Sequence, residues 1–272
     1  MSTERGSCAI IAGGGSFPFH VAAEARRQGL QVVAIGLQGW ADPALASQAD
    51  AYEEVAVGQL GRLIERLASH RVSQAIMAGK VTKEVLFDPR ISFDAEALSI
   101  LSGAKGFSVN ALLGAIGERL AKQGIRLMDS STFLRANLCP AGTVSQRAPT
   151  SEEQADIWVG MKAARCVAEL DIGQAVVVKR QVIVAVEALE GTDAAIQRAF
   201  QLAGGELTVV KMASPAQDMR FDLPILGLTT MAVAAACGVG CVAVEAGKTL
   251  LLDKETLLER ANDQRLSLVG IE

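Results

Sequence analysis

The strongest constraint on the fold is an apolar run that meets a glycine turn: Ile10-Ile11-Ala12-Gly13-Gly14-Gly15-Ser16-Phe17-Pro18. A short apolar run broken by glycines, with a proline suited to a first helical turn, begins a strand–turn–helix unit. The alternation continues along the first half. Cys8–Ala12, Gln31–Ile35, Ala51–Val57 and Gln74–Ala78 read as strands, and Arg126–Asp129 as one more. Pro18–Gln28, Gly61–Ser69 and Val109–Gln123 read as helices. This spacing predicts an N-terminal α/β domain over residues 1–134, built on a Rossmann-like parallel sheet.

Residues 135–150 carry Pro140, Gly142 and Pro149 without periodicity, and are expected to form a linker. A helix then starts at Thr150, with Glu153 three residues on completing a capping box. Its apolar stripe is Ile157, Met161, Ala164, Val167 and Ala168. Gln174–Val178 and Val182–Val186 read as an antiparallel pair. Thr192–Leu202, Thr229–Cys237 and Glu255–Gln264 read as helices. Glu206–Met212, Val239–Val244, Thr249–Leu252 and Leu266–Val269 read as strands. Residues 135–272 thus predict a second α/β domain with a mixed sheet.

Composition removes several classes of function. With 26 basic and 30 acidic residues the net charge is −4, and no dense basic cluster points to nucleic acid. Five scattered cysteines and a polar start, "MSTERGSCAI", fit reduced thiols in the cytoplasm rather than a secreted disulfide framework. Cys237 and Cys241 have the wrong spacing for a zinc knuckle, and only His20 and His70 can offer imidazole. Leu223–Val244 carries no charge, yet Pro224, Gly227, Gly238 and Gly240 break it, so a soluble helix and a buried strand are expected there.

The glycine turn is friendly to phosphate but fits no standard nucleotide motif. Gly13 and Gly15 can fill two roles of a dinucleotide fingerprint; Pro18 stands where its third glycine belongs. The ribose-binding acid expected after the second strand is missing from Ala34-Ile35-Gly36-Leu37-Gln38. Gly79-Lys80 and Gly247-Lys248 lack the earlier glycine of a Walker A loop, having Gln74 and Val242 instead. Either a glycine turn needed only for packing or an anion-binding turn at Gly13, Gly14 and Gly15 satisfies the pattern.

Three segments of the second half combine charge with turns. In "VEALEGTD" a strand ends, Gly191 turns the chain, and Thr192-Asp193 opens a helix able to receive an anion or simply to be capped. After Lys211 a loop carries Gln217, Asp218, Arg220 and Asp222, closing at Pro224. Such loops either carry catalysis or pair their own charges in solvent. In "VEAGKTLLLD", Glu245 and Lys248 occupy a turn, for which a hairpin with an exposed ion pair is the plain expectation.

Together "AGGGSFP", "LDIGQAVVV", "VEALEGTDAAI", "QDMRFDLPILG" and "VEAGKTLLLD", in this order across almost the whole chain, resemble the LpxI family of UDP-2,3-diacylglucosamine pyrophosphatases. The resemblance implies two domains with the lipid-linked substrate in a cleft between them, and hydrolysis to UMP and 2,3-diacylglucosamine 1-phosphate with Mg²⁺. It implies that Asp222, in the family's R-x-D-L-P motif, is tied to catalysis, as a Mg²⁺ ligand or as the base that takes water's proton. Arg220 and Lys211 would spread transition-state charge, with Thr192, Asp193 and Gln217 bonding substrate. Ser214 stands before Pro215 where the family often has lysine, which leaves Lys211 as the nearer cation. The metallophosphoesterases that perform this reaction elsewhere need histidine-rich metal motifs, which two histidines cannot supply.

The implied substrate carries two acyl chains, so an apolar groove and loose contact with the inner membrane are expected. Phe17, Phe19, Trp40 and the alanine-rich helix after Pro224 are candidates for it, though each also suits a core. A binding module that holds a UDP-sugar without cleaving it is the alternative, but a pure anion binder gains nothing from carboxylates beside phosphates unless a metal intervenes.

Overall fold

A computed structural model describes residues 6–82, 85, 87–103, 109–215 and 217–272. Residues 1–5 of the polar start, and Ala216 in the loop after Lys211, lie outside the described residues. By its contacts the chain divides into two units. Unit 1 is Met1–Leu134 with Asp218–Asp222, and unit 2 is Arg135–Gln217 with Leu223–Glu272.

Unit 1 is built on five strands: β1 (Ser7–Ala12), β2 (Gln31–Leu37), β3 (Ala51–Val55), β4 (Gln74–Ala78) and β5 (Arg126–Leu127). Their order is β3-β2-β1-β4-β5, and every adjacent pair is parallel. The central strands read as unbroken apolar runs because helices cover both faces of a parallel sheet. Ile10 and Ile35 are fully buried accordingly. The covering helices are α1 (Phe17–Arg27), α2 (Leu60–Ser69), α3 (Ala95–Gly103) and α4 (Val109–Lys122). In α2, Leu60, Leu63 and Leu67 recur at helical spacing and are the buried residues. Phe17 is 4% exposed and belongs to the core rather than to an open groove.

Unit 2 holds a six-stranded mixed sheet in the order β6-β13-β11-β9-β7-β8. The strands are β6 (Gly142–Thr143), β7 (Ala175–Lys179), β8 (Val182–Val186), β9 (Leu207–Lys211), β11 (Val239–Glu245) and β13 (Ser267–Ile271). A separate parallel pair joins β10 (Ile225–Leu226) to β12 (Leu250–Leu251). The helices are α5 (Ser151–Glu169), α6 (Thr192–Ala203), α7 (Leu228–Ala236) and α8 (Lys254–Asp263). Alternating strand residues serve two cores. Val176, Val178, Val210 and Ala243 meet Ile157 and Ala164 of α5. Val177, Val209 and Val242 meet Ile196, Met231 and Leu257 from α6, α7 and α8. Thr150 and Glu153 form the capping box of α5.

Within the stretch 135–150, Gly142 and Thr143 pair antiparallel with β13 and give the sheet its edge. One local expectation is corrected. The turn after β11 is no hairpin, since β11 lies between β9 and β13 while β12 pairs with β10. Among the described residues, no helix is long and apolar enough to cross a membrane.

Candidate active site

In a doubly wound sheet, ligands sit outside the carboxyl ends of the strands where the order reverses. In unit 1 that point lies between β1 and β4. The backbones there are already bonded to each other: Gly13 N–H donates to Ala78 O (2.8 Å), Gly14 N–H to Lys80 O (2.9 Å) and Lys80 N–H to Gly14 O (2.9 Å). The approach is so close that a Cβ on Gly13 would stand 2.8 Å from Lys80 O. Gly13 and Gly14 therefore spend their amides on packing. Gly15 differs: its φ is +89°, and a Cβ there would meet no heavy atom within 4 Å.

Asp218–Asp222 is also part of unit 1. Phe221 packs against the core formed by β1, β2 and α4. Ser130 N–H donates to Met219 O at 2.8 Å. The Arg220 guanidinium forks onto Asp218, with Nε 2.9 Å from Oδ1 and Nη2 2.5 Å from Oδ2. These bonds hold the Asp218 carboxyl below the usual carboxylate range. Asp222 N–H donates to Asp218 O (3.1 Å), which closes the turn. Arg220 is half-buried beside the Phe221 ring, its charge already matched by Asp218.

Unit 2 collects the remaining candidates at the carboxyl ends of its strands. Lys211, the last residue of β9, is 8% exposed. Its Nζ donates to Thr192 Oγ1 (3.1 Å) and lies 3.9 Å from Glu187 Oε2. Thr192 in turn donates to Glu187 Oε1 at 2.9 Å. The buried ammonium thus has a counter-charge, without which its desolvation would be costly. Asp193 accepts a bond from Thr230 Oγ1 (2.6 Å), and Gln217 Oε1 accepts the Ser214 N–H (2.7 Å). Glu245 is 5% exposed, accepts the Ala213 N–H (2.8 Å) and pairs with Lys248 (2.8 Å). The exposed ion pair expected at this turn is therefore a buried carboxylate that anchors the loop after β9.

The candidates fall into two groups. Unit 1 carries Gly13, Gly14, Gly15, Arg220 and Asp222; unit 2 carries Lys211, Thr192, Asp193 and Gln217. Sequence reasoning paired Glu245 with Lys248 but did not single out Glu187 as the partner of Lys211. Glu187 follows the apolar run of β8 by one residue and Glu245 ends the buried run of β11, and those positions are the available signal. Among the described residues, no group of three or more His, Cys, Asp or Glu side chains is arranged to hold a metal ion. Mg²⁺ commonly keeps its waters and takes only one or two carboxylates beside substrate phosphates.

Two α/β units, with paired cations and carboxylates at strand ends, define a chain built to handle an anionic substrate. The LpxI N-terminal domain family matches residues 7–136, and the LpxI C-terminal domain family residues 140–269. The UDP-2,3-diacylglucosamine pyrophosphatase LpxI of Caulobacter vibrioides is 30% identical over 97% of this chain and 96% of its own length. The chain belongs to the LpxI family. Among solved structures, the biotin carboxylase of Campylobacter jejuni is 12% identical with a TM-score of 0.29. The match covers 74% of this chain and 42% of that one. The biotin carboxylase domain of the Hydrogenobacter thermophilus 2-oxoglutarate carboxylase is 13% identical with a TM-score of 0.27, over 72% of this chain and 41% of that one. Likeness at that level bears on neither fold nor function.

Proposed function

We propose that this chain is a UDP-2,3-diacylglucosamine pyrophosphatase of lipid A synthesis. Water adds across the P–O–P anhydride, one bridging P–O bond breaks, and UMP and 2,3-diacylglucosamine 1-phosphate leave. The observation that carries this reading is the match to the Caulobacter LpxI, which runs through 97% of this chain and 96% of the relative.

In this reading Asp222 is the catalytic carboxylate, either accepting the proton of the attacking water or holding Mg²⁺ with the substrate's phosphate oxygens. Mg²⁺, when bound, supplies neutralisation of the pyrophosphate charge. Arg220 and Lys211 are assigned the role of spreading the charge that develops on the phosphates. Both cations are held in place, Arg220 by Asp218 and Lys211 by Thr192 beside Glu187. Thr192, Asp193, Gln217 and the outward-facing Gly15 main chain bond the nucleotide or sugar. The acyl chains keep the substrate at a bilayer, where the protein works peripherally.

The test is incubation of the purified chain with UDP-2,3-diacylglucosamine, with and without Mg²⁺, beside Asp222→Ala. The expected outcome is Mg²⁺-dependent UMP release by the wild type and a loss of about a hundredfold or more in the variant. Equal release by the variant removes Asp222 from catalysis. No release by the wild type replaces the enzyme with a module that only binds UDP-sugars.

A further inference from the structure

Ser130 lies just past β5 at the carboxyl edge of the unit 1 sheet and is 2% exposed. The β4 carbonyls that face β5 form a row. Ser73 O takes the Arg126 N–H (2.9 Å) and Ala75 O takes the Met128 N–H (2.8 Å). By this two-residue period the Ser130 N–H is due at Met77 O. It goes elsewhere, to Met219 O at 2.8 Å. The Ser130 hydroxyl fills the gap: Oγ lies 2.8 Å from Met77 O and 2.8 Å from Arg220 O. One side chain therefore ends the sheet's ladder and fastens the segment that carries Asp222.

We propose that Ser130 is the positioning residue for Asp222, acting through the backbone of Met219 and Arg220; this rests on the catalytic reading of Asp222 given above. The amide diverted from the ladder fixes one carbonyl of the segment. The hydroxyl has a single proton and two carbonyls to serve, so it links the sheet edge and the segment as one polar unit. Beyond that anchor, the turn is closed by its own bonds. Phe221 N–H and Asp222 N–H both donate to Asp218 O, and Arg220 forks onto the Asp218 carboxylate. Wherever Ser130 holds residues 219 and 220, Asp222 follows. Removing the hydroxyl takes away the one donor that the Met77 and Arg220 carbonyls share and frees the segment to shift.

The experiment compares full-length wild type, Ser130→Ala, Ser130→Thr and Ser130→Cys by amide hydrogen exchange and by steady-state kinetics with UDP-2,3-diacylglucosamine and Mg²⁺. In Ser130→Ala the amides of 220–222 should exchange about tenfold faster while those of β1 stay unchanged. Its kcat should fall roughly tenfold to a hundredfold with KM within about twofold. Ser130→Thr, which keeps the hydroxyl, should recover both quantities. Ser130→Cys, a weaker donor, should lie between, and decides the matter if the alanine variant folds poorly. Wild-type kcat in Ser130→Ala, or faster exchange spread evenly over the whole sheet, overturns the positioning role. Absence of UMP release from the wild type overturns the pyrophosphatase reading instead, whatever the exchange shows.

Discussion

Lys211 illustrates why a single side chain in this site cannot be read by activity alone. It is buried against Glu187 and Thr192, so Lys211→Met strands a buried carboxylate. That variant should lose about 3 kcal/mol of stability, read as a lower urea midpoint at unchanged m. Adding Glu187→Gln should return most of the stability without returning hydrolysis, which separates the structural from the chemical part of the lysine. The cysteines allow a second test. All five are free, and Cys166 alone is exposed. Iodoacetamide should therefore label Cys166 in the native protein and the other four only after unfolding. Burial pushes the Cys8 and Cys241 thiols up to about 12 and Cys139 to about 11, from 9.0. An unfolded chain ionises these thiols first, so their contribution to stability is intact below pH 9.0 and is lost between there and about 12. Thermal melts across that range should show a steeper alkaline decline than a Cys8→Ala variant.

At the scale of elements, the close crossing of the β1 and β4 ends makes the sharpest demand. Gly79 has φ +97°, and a Cβ on it would stand 2.7 Å from Gly13 C. Gly79→Ala should cost about 3 kcal/mol by denaturation, from backbone strain and overpacking together, whereas Gly15→Ala pays only the strain. The central strands were legible in the sequence because they are apolar runs buried on both faces; Ser7–Ala12 and Val239–Glu245 are examples. Helix α3 was not read from the sequence, because its nine residues are a short stretch whose polar side is only Glu96, Ser99 and Ser102. Edge strand β6 was hidden as well, being two residues long inside a proline- and glycine-rich stretch. Within the site, Thr192, Lys211, Arg220 and Asp222 could be named from turns and motif order. The pairing of Arg220 with Asp218 is local to that loop, but the anchors of the loop could not be named. The bond from Ser130 to Arg220 spans 90 residues, and no local pattern reports a pairing at that separation.

Across the whole molecule, the main departure from two consecutive halves is the short excursion of Asp218–Asp222 into unit 1. Residues 1–134 expressed alone lack Phe221, which packs against their core, and the carbonyl that takes the Ser130 N–H. That fragment should bind more hydrophobic dye and melt at lower temperature than unit 1 does in the full chain; equal behaviour would mean the segment adds nothing to the unit's stability. The excursion also bears on inheritance. If two LpxI-type genes exchanged their downstream portions, the recombinant would receive five residues of the upstream fold from a foreign parent. Met77 and Ser130 from one lineage would then have to accept residues 219–221 from the other. Shuffling at the obvious boundary is thus penalised by a mismatch far from the splice, and the two halves of the gene are expected to travel through evolution together.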